Sequence, residues 1–476
     1  MDGTERSAFV GRRADLDRLQ RHLDAVVATG RGRLLSVRGR RQAGKSRLVT
    51  EFVRRSGLPQ LFFTASRQPS VQADLNLFAA DVARESTLPG AELFSGVAFD
   101  SWEAALRVVA GALPDGPALV VVDEFPWLIE NEPGLEGSLQ KLWDTVFEAR
   151  SVLFVLIGSD LSMMEALTAY GRPLFGRAKE LVVHPFTVAD AATMIGLDDP
   201  AAAIDAYLVT GGYPRLVSEW PSGQGMWEFL TTQLADENSD LLVVGQRVLS
   251  SEFPAWLQAR RVLGAIGAGE RAYKAIADVA GVGAAPLGRA LRLLIEDKRL
   301  VALDRPVSTR PSRESRYRVA DPYLRFWLRF VDPGVADVAR GRGDLTLTRI
   351  RDSWSTYRGR AVEPLVREAL ARLALVDERL RGAGHVGGYW TRTNDPEVDL
   401  VGVDRHPDTR RVCFVGSIKW EDRKGFATDD LSRLARHRAL VPGGDQAALV
   451  AVSRSGGDVA GLDAIYTAKD IVDAWA

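Results

Sequence analysis

The chain has 476 residues, with 61 Lys and Arg against 62 Asp and Glu and a single cysteine, Cys413. That length exceeds one compact core and predicts roughly three domains, and the formal net charge of −1 excludes a polycation, so any nucleic-acid contact needs a local basic patch. A lone cysteine excludes an internal disulfide and a cysteine-built zinc site and fits a reducing compartment.

The opening residues MDGTERSAFVGRR lack the apolar stretch of a secretory leader. No apolar run approaches the ~20 residues needed to cross a bilayer, so a cytoplasmic protein with no membrane partner is expected. Short Val/Leu/Ile-rich runs at 33–37, 60–64, 118–122, 152–157 and 180–183 alternate with amphipathic stretches, which predicts a parallel α/β sheet.

The first run leads directly into Gly39-Arg40-Arg41-Gln42-Ala43-Gly44-Lys45-Ser46, and a helix is predicted from Arg47 through residue 55. This is G-x-x-x-x-G-K-[ST] in its strand–loop–helix setting. Glycines let backbone N–H groups turn inward on phosphates, and the helix N-terminus adds positive potential. Lys45 is expected on the β/γ-phosphates of ATP and Ser46 on Mg²⁺.

The third run ends in Asp123-Glu124. Asp123 is expected to hold the Mg²⁺ shell and Glu124 to activate water. The fourth run ends in Gly158-Ser159, where Ser159 either senses the γ-phosphate or caps the next helix. Arg177, in Pro173-Leu174-Phe175-Gly176-Arg177, is either an arginine finger or a surface arginine.

Residues from about 190 to 245 read as helical, with breaks at Gly211-Gly212 and Pro214. Between 250 and 330 three short helices precede two short strands. Segments 272–280 and 284–297, joined by Gly281-Val282-Gly283, form a helix-turn-helix pattern. Ile276, Val279, Val282, Leu287, Leu291 and Leu294 are expected in its core. Arg289, Arg292, Lys298 and Arg299 lie on or after the second helix. Residues 251–330 carry 15 Lys and Arg against 8 Asp and Glu, an excess of +7 in a chain otherwise acidic. Such a patch suits a DNA backbone, without the Asn or Gln that would read bases; packing on the rest of the protein is the alternative. Phe326, Trp327 and Phe330 read as core. A Gly/Arg-rich stretch at 339–344 reads as a linker. From Trp354 the pattern is helix, strand, strand, helix, strand. His22, His184, His385, His406 and His437 show no ligand spacing, so no zinc site is expected.

Phe9-Val10-Gly11-Arg12, the two nucleotide motifs, Gly211-Gly212-Tyr213-Pro214 and Arg316-Tyr317-Arg318-Val319-Ala320-Asp321-Pro322-Tyr323-Leu324-Arg325-Phe326-Trp327 together resemble the archaeal-type ATPases. These belong to the AAA+/STAND-like branch of P-loop proteins. The resemblance implies an α/β ASCE/AAA+-like P-loop core over residues 1–190, a helical lid over 191–248 and a winged helix over 249–335. A small α/β domain of the PD-(D/E)XK nuclease-like type would follow over 345–476. It implies Val10, Gly11 and Arg12 near the adenine, with Gly212 and Pro214 of the lid closing over it. It favours Arg177 as a finger, which in trans would imply a homo-oligomer or a protein partner, and offers Arg215 as a weaker sensor.

In the C-terminal domain the resemblance aligns Glu363, Asp399 and Lys419 with a nuclease's metal-and-lysine layout. Ser417 stands where the pattern has a carboxylate, which Glu421, Asp429 or Asp430 would have to replace. The expectation is therefore an ATP-driven switch acting on DNA or a protein partner. The rivals are an ATP-regulated nuclease and a nucleotide-holding scaffold with negligible turnover.

Overall fold

The computed structural model describes residues 9–253 and 257–475; most of the segment read for a leader lies outside them. The chain divides into two compact units at Pro185 and Phe186.

In the first unit, strands β1 (Arg33–Arg38), β2 (Gln60–Thr64), β3 (Ala118–Asp123), β4 (Val152–Gly158) and β5 (Ala178–Val182) form one sheet in the order β2-β3-β4-β1-β5. Every pairing is parallel. The sheet is buried on both faces, which is why β3 and β4 are unbroken apolar runs rather than alternating ones. One face packs Leu19, Val26 and Phe52 of helices Arg13–Thr29 and Lys45–Ser56 against Leu35, Val37 and Val155. The other packs Phe63, Phe78, Trp102 and Phe154. Strand β4 lies between the strand feeding the phosphate loop and the strand ending in acids, which is the ASCE order. The fold class is that of a P-loop ATPase core.

The second unit begins with helices Val188–Ile195, Pro200–Thr210, Pro214–Ser218, Met226–Leu234 and Asp240–Glu252. Helices Leu257–Gly267, Tyr273–Ala280 and Ala284–Arg292 follow, then antiparallel β6 (Val301–Asp304) and β7 (Arg316–Val319). Ile276, Leu287, Leu291 and Leu294 are buried as expected, but Val279 is 58% exposed. On its helix the inward stripe is Ile276, Ala277 and Ala280, and Val279 falls beside it. Phe326, Trp327 and Phe330 are core.

The linker expected at 339–344 is shorter than read: helix Gly343–Ala361 begins inside it, with Thr346 and Ile350 buried. Helix Glu363–Leu373 leads into a five-stranded mixed sheet, β8 (His385–Trp390), β9 (Glu397–Val403), β10 (Val412–Lys419), β11 (Ala448–Ser453) and β12 (Ala464–Tyr466), ordered β12-β11-β10-β9-β8. Helix Thr428–Leu440 connects β10 to β11. The sequence pattern lacks β8 and β12. Gly387-Gly388 depress strand propensity in the first, and the second has only 3 residues. One continuous apolar core runs from Phe186 to Ile471 through the second unit.

Candidate functional site

The turn after β1 depends on its glycines. A Cβ on Gly39 would lie 2.2 Å from the Val183 carbonyl oxygen, and Gly44 sits at φ +85°, a region a side chain disfavours. Helix Lys45–Ser56 starts here without a side-chain cap, which leaves its first N–H groups available to an anion.

Lys45 is buried at 4% exposure, and its ammonium donates to the carbonyls of Gly39 (2.9 Å) and Arg40 (3.0 Å) and to Ser159 Oγ (3.1 Å). Ser159 Oγ in turn donates to Glu124 Oε1 at 2.9 Å. The order of the strands builds this chain: β4 places Ser159 between the loop and the acids of β3. Burial pulls the Lys45 pKa down to about 8 against the opposing pull of Glu124 and Asp123. Burial also raises Asp123, while a hydrogen bond from the Ser46 hydroxyl works the other way. Glu124 adopts φ +54°, left-handed backbone that costs a non-glycine residue on the order of 1 kcal/mol. Its N–H donates to Asp123 Oδ1 at 2.9 Å.

Arg12, 6% exposed, donates to the carbonyls of Ala43 and His184 and to Asp15. It braces the phosphate loop from outside, a role invisible in the sequence because its partners are main-chain atoms 31 and 172 residues away. Arg41, Ser46 and Arg47 are exposed along the loop and the helix start.

Arg177 lies elsewhere. It precedes β5, and β5 starts level with Leu34 near the beginning of β1. The phosphate loop leaves the other end of that strand, roughly 20 Å away at ~3.3 Å per residue. Its guanidinium grips Asp144 through two bonds of 2.7 Å. It is therefore not brought to the loop of its own chain.

In the second unit Gly211-Gly212-Tyr213-Pro214 packs against the Asp321–Tyr323 segment. The Tyr213 hydroxyl donates to Asp321 Oδ2 at 2.7 Å, and its ring meets Tyr323 edge-on at 5.7 Å. Arg215 is paired with Asp240. Arg289, Arg292 and Arg299 are exposed and Lys298 partly so.

The C-terminal residues meet in a cavity of about 480 Å³ lined by Glu397, Asp399, Ser417, Lys419, Glu421 and Asp430, among others. Glu363 is not in its lining; it pairs with Arg367, which also donates to the Asp399 carbonyl. Asp399 Oδ2 accepts from Ser417 Oγ (3.0 Å) and the Ile418 N–H (2.9 Å), and burial raises its pKa. Lys419 is neutralised by Glu421 at 3.0 Å, with Asp430 at 3.7 Å. Among the described residues no three His, Cys, Asp or Glu side chains are grouped to hold a metal, and no helix is long and apolar enough to cross a membrane.

Residues 327–431 match a family described as archaeal and bacterial proteins of unknown function. An uncharacterised protein of Methanocaldococcus jannaschii is 22% identical over 418 residues, spanning 87% of this chain and 88% of its own. A Walker-type ATPase of Pyrococcus abyssi is similar in structure with a TM-score of 0.46 and 18% identity, over 68% of this chain and 97% of its own. The Aeropyrum pernix ORC2 protein gives a TM-score of 0.45 and 14% identity, over 70% and 94%. The fold class rests on this chain's own sheet order.

Proposed function

We propose that the chain is a Mg²⁺-dependent ATPase whose turnover switches the second unit between states that bind DNA or a protein partner differently. The observation that carries this reading is the hydrogen-bonded chain Lys45–Ser159–Glu124, set beside Asp123 at the mouth of the phosphate loop. Its donor set suits the ligand: main-chain N–H groups and an ammonium for phosphate, a hydroxyl and a buried carboxylate for the ion. Ser46 and Asp123 would hold Mg²⁺, which would neutralise phosphate charge.

The chain's own residues do the rest. Lys45 exchanges its carbonyl partners for phosphate oxygens. Ser159 holds Glu124 in place, and Glu124 takes the proton of the attacking water. Val10 and Gly11 are assigned to the adenine by the resemblance. Arg177 acts, if as a finger, on a second copy or a partner. The winged helix offers Arg289, Arg292, Lys298 and Arg299 to nucleic-acid phosphates, and the C-terminal module binds rather than cuts. A nucleotide-holding scaffold and an ATP-regulated nuclease are the rivals.

The test is nucleotide binding and steady-state hydrolysis by Lys45→Ala and Glu124→Gln, with and without duplex DNA. Lys45→Ala should lose Mg-ATP binding. Glu124→Gln should retain it and lose turnover by about 100-fold or more. Wild-type-like hydrolysis in both variants refutes the ATPase reading. DNA that changes neither turnover nor gel mobility refutes the DNA reading. Magnesium-dependent plasmid cleavage that is lost in Asp399→Ala would restore the nuclease.

A further inference from the structure

A second cavity in the Phe186–Ala476 unit, of about 380 Å³, adjoins the C-terminal cavity and shares Thr356 and Arg360 with its lining. It is walled by the 266–271 turn, β7, the Arg325–Arg329 segment and the end of helix Gly343–Ala361. Its volume is in the range of small-molecule pockets. Five arginines line it, Arg271, Arg318, Arg325, Arg329 and Arg360, against Glu270, Asp352 and Glu363, leaving an excess of +2.

Three of the arginines are committed. Arg318 is paired with Asp304 at 2.9 Å, Arg325 donates to the carbonyls of Val319 and Ala361, and Arg329 donates to the Ala268 carbonyl. The guanidiniums of Arg271 and Arg360 have no ion pair or hydrogen bond among the described residues. Arg271 is half-buried and Arg360 is exposed at the cavity mouth; burial lowers the Arg271 pKa, which Glu363 only partly offsets, and a partly desolvated cation favours an anion beside it. The Tyr357 hydroxyl is also buried on this wall and has no hydrogen-bond partner. Burial pushes its ionisation up, so it remains a neutral donor. The ring of Tyr317 adds an aromatic surface.

We propose that this cavity binds a phosphate monoester carrying an aromatic body, with Arg271 and Arg360 on the phosphate and the Tyr357 hydroxyl donating to it. The dianion matches the +2 excess, since a phosphate monoester carries about −1.5 to −2 near neutral pH, and planar guanidiniums suit its oxygens. A free mononucleotide and the 5′-phosphorylated end of a nucleic-acid strand share this chemistry.

The experiment uses the full chain bearing Lys45→Ala, in EDTA, so that the phosphate loop does not contribute. Calorimetry is run with AMP and with a short oligonucleotide bearing either a 5′-phosphate or a 5′-hydroxyl. Saturable binding of AMP or of the phosphorylated strand is expected. It should weaken about tenfold or more in Arg271→Gln and severalfold in Tyr357→Phe, which keeps the ring and tests the site even if the arginine variant folds poorly. AMP alone binding identifies a free nucleotide; the strand binding more tightly identifies an end. Binding that is absent for both phosphate probes, equal for the two strands with none for AMP, or unchanged in both variants overturns the proposal. The phosphate-loop reading is untouched by any of these results, because Lys45 is already removed.

Discussion

The phosphate-loop site and the C-terminal cavity are built from the same parts, a lysine near strand-end carboxylates, and the surroundings give them opposite character. In the first, Lys45 rests on two carbonyls and a serine, neutral groups that a phosphate displaces without breaking an ion pair. In the second, Lys419 is already neutralised by Glu421, and one oxygen of Asp399 is taken by Ser417 and the Ile418 N–H. A ligand there would compete with partners that are charged and local. The difference lies in what holds the reactive groups when no ligand is present, more than in which groups they are.

The largest effect expected from this contrast comes from matched carboxylate changes. Asp123→Asn should cut ATP turnover by about 100-fold or more, while Asp399→Asn, measured in the same steady-state assay, should leave it within about twofold. Equal losses would mean that the two sites work as one.

A smaller effect is expected at the brace. Arg12→Ala removes bonds to the Ala43 and His184 carbonyls and leaves both to find water. Mg-ATP affinity should fall about tenfold, as for loss of a charge-assisted bond, with turnover at saturation little changed. Equilibrium binding set beside kcat separates the two, and an unchanged affinity would remove Arg12 from the site.

The smallest is a pH effect. The Lys45 pKa of about 8 in the free site lies below its ordinary value, so the amine is charged below pH 8 and progressively neutral above it. Phosphate favours the charged form, so ATP affinity should decline as pH rises above about 8, approaching tenfold per unit at its steepest. Binding should also take up protons there, read by calorimetry in buffers of different ionisation enthalpy. The same lowered pKa adds stability to the ligand-free fold as pH rises from about 8 toward 10.5, because the unfolded chain holds the proton longer. A pH-independent affinity between 7 and 9 would contradict the buried-amine account.

Much of this protein was legible in its residues because the signals are local. G-x-x-x-x-G-K-[ST] between a strand and a helix specifies the loop, and apolar runs ending in Asp123-Glu124 and Ser159 mark strands buried on both faces. Ile276, Leu287 and Leu291 announce a helical core by their spacing. Val279 and β8 depart from the sequence pattern where the local signal is weak: a residue at the edge of an apolar stripe, and a strand interrupted by two glycines. Tertiary structure alone decided the rest. Strand order put Ser159 between Lys45 and Glu124 and carried Arg177 to the far edge of the sheet. Long-range folding brought Arg12 to Ala43 and His184 and gathered Arg271 with Tyr357 and Arg360 around one cavity. Periodicity and motif report what a segment is; which polar groups end up neutralised depends on neighbours distant in the chain, and only the fold brings those together.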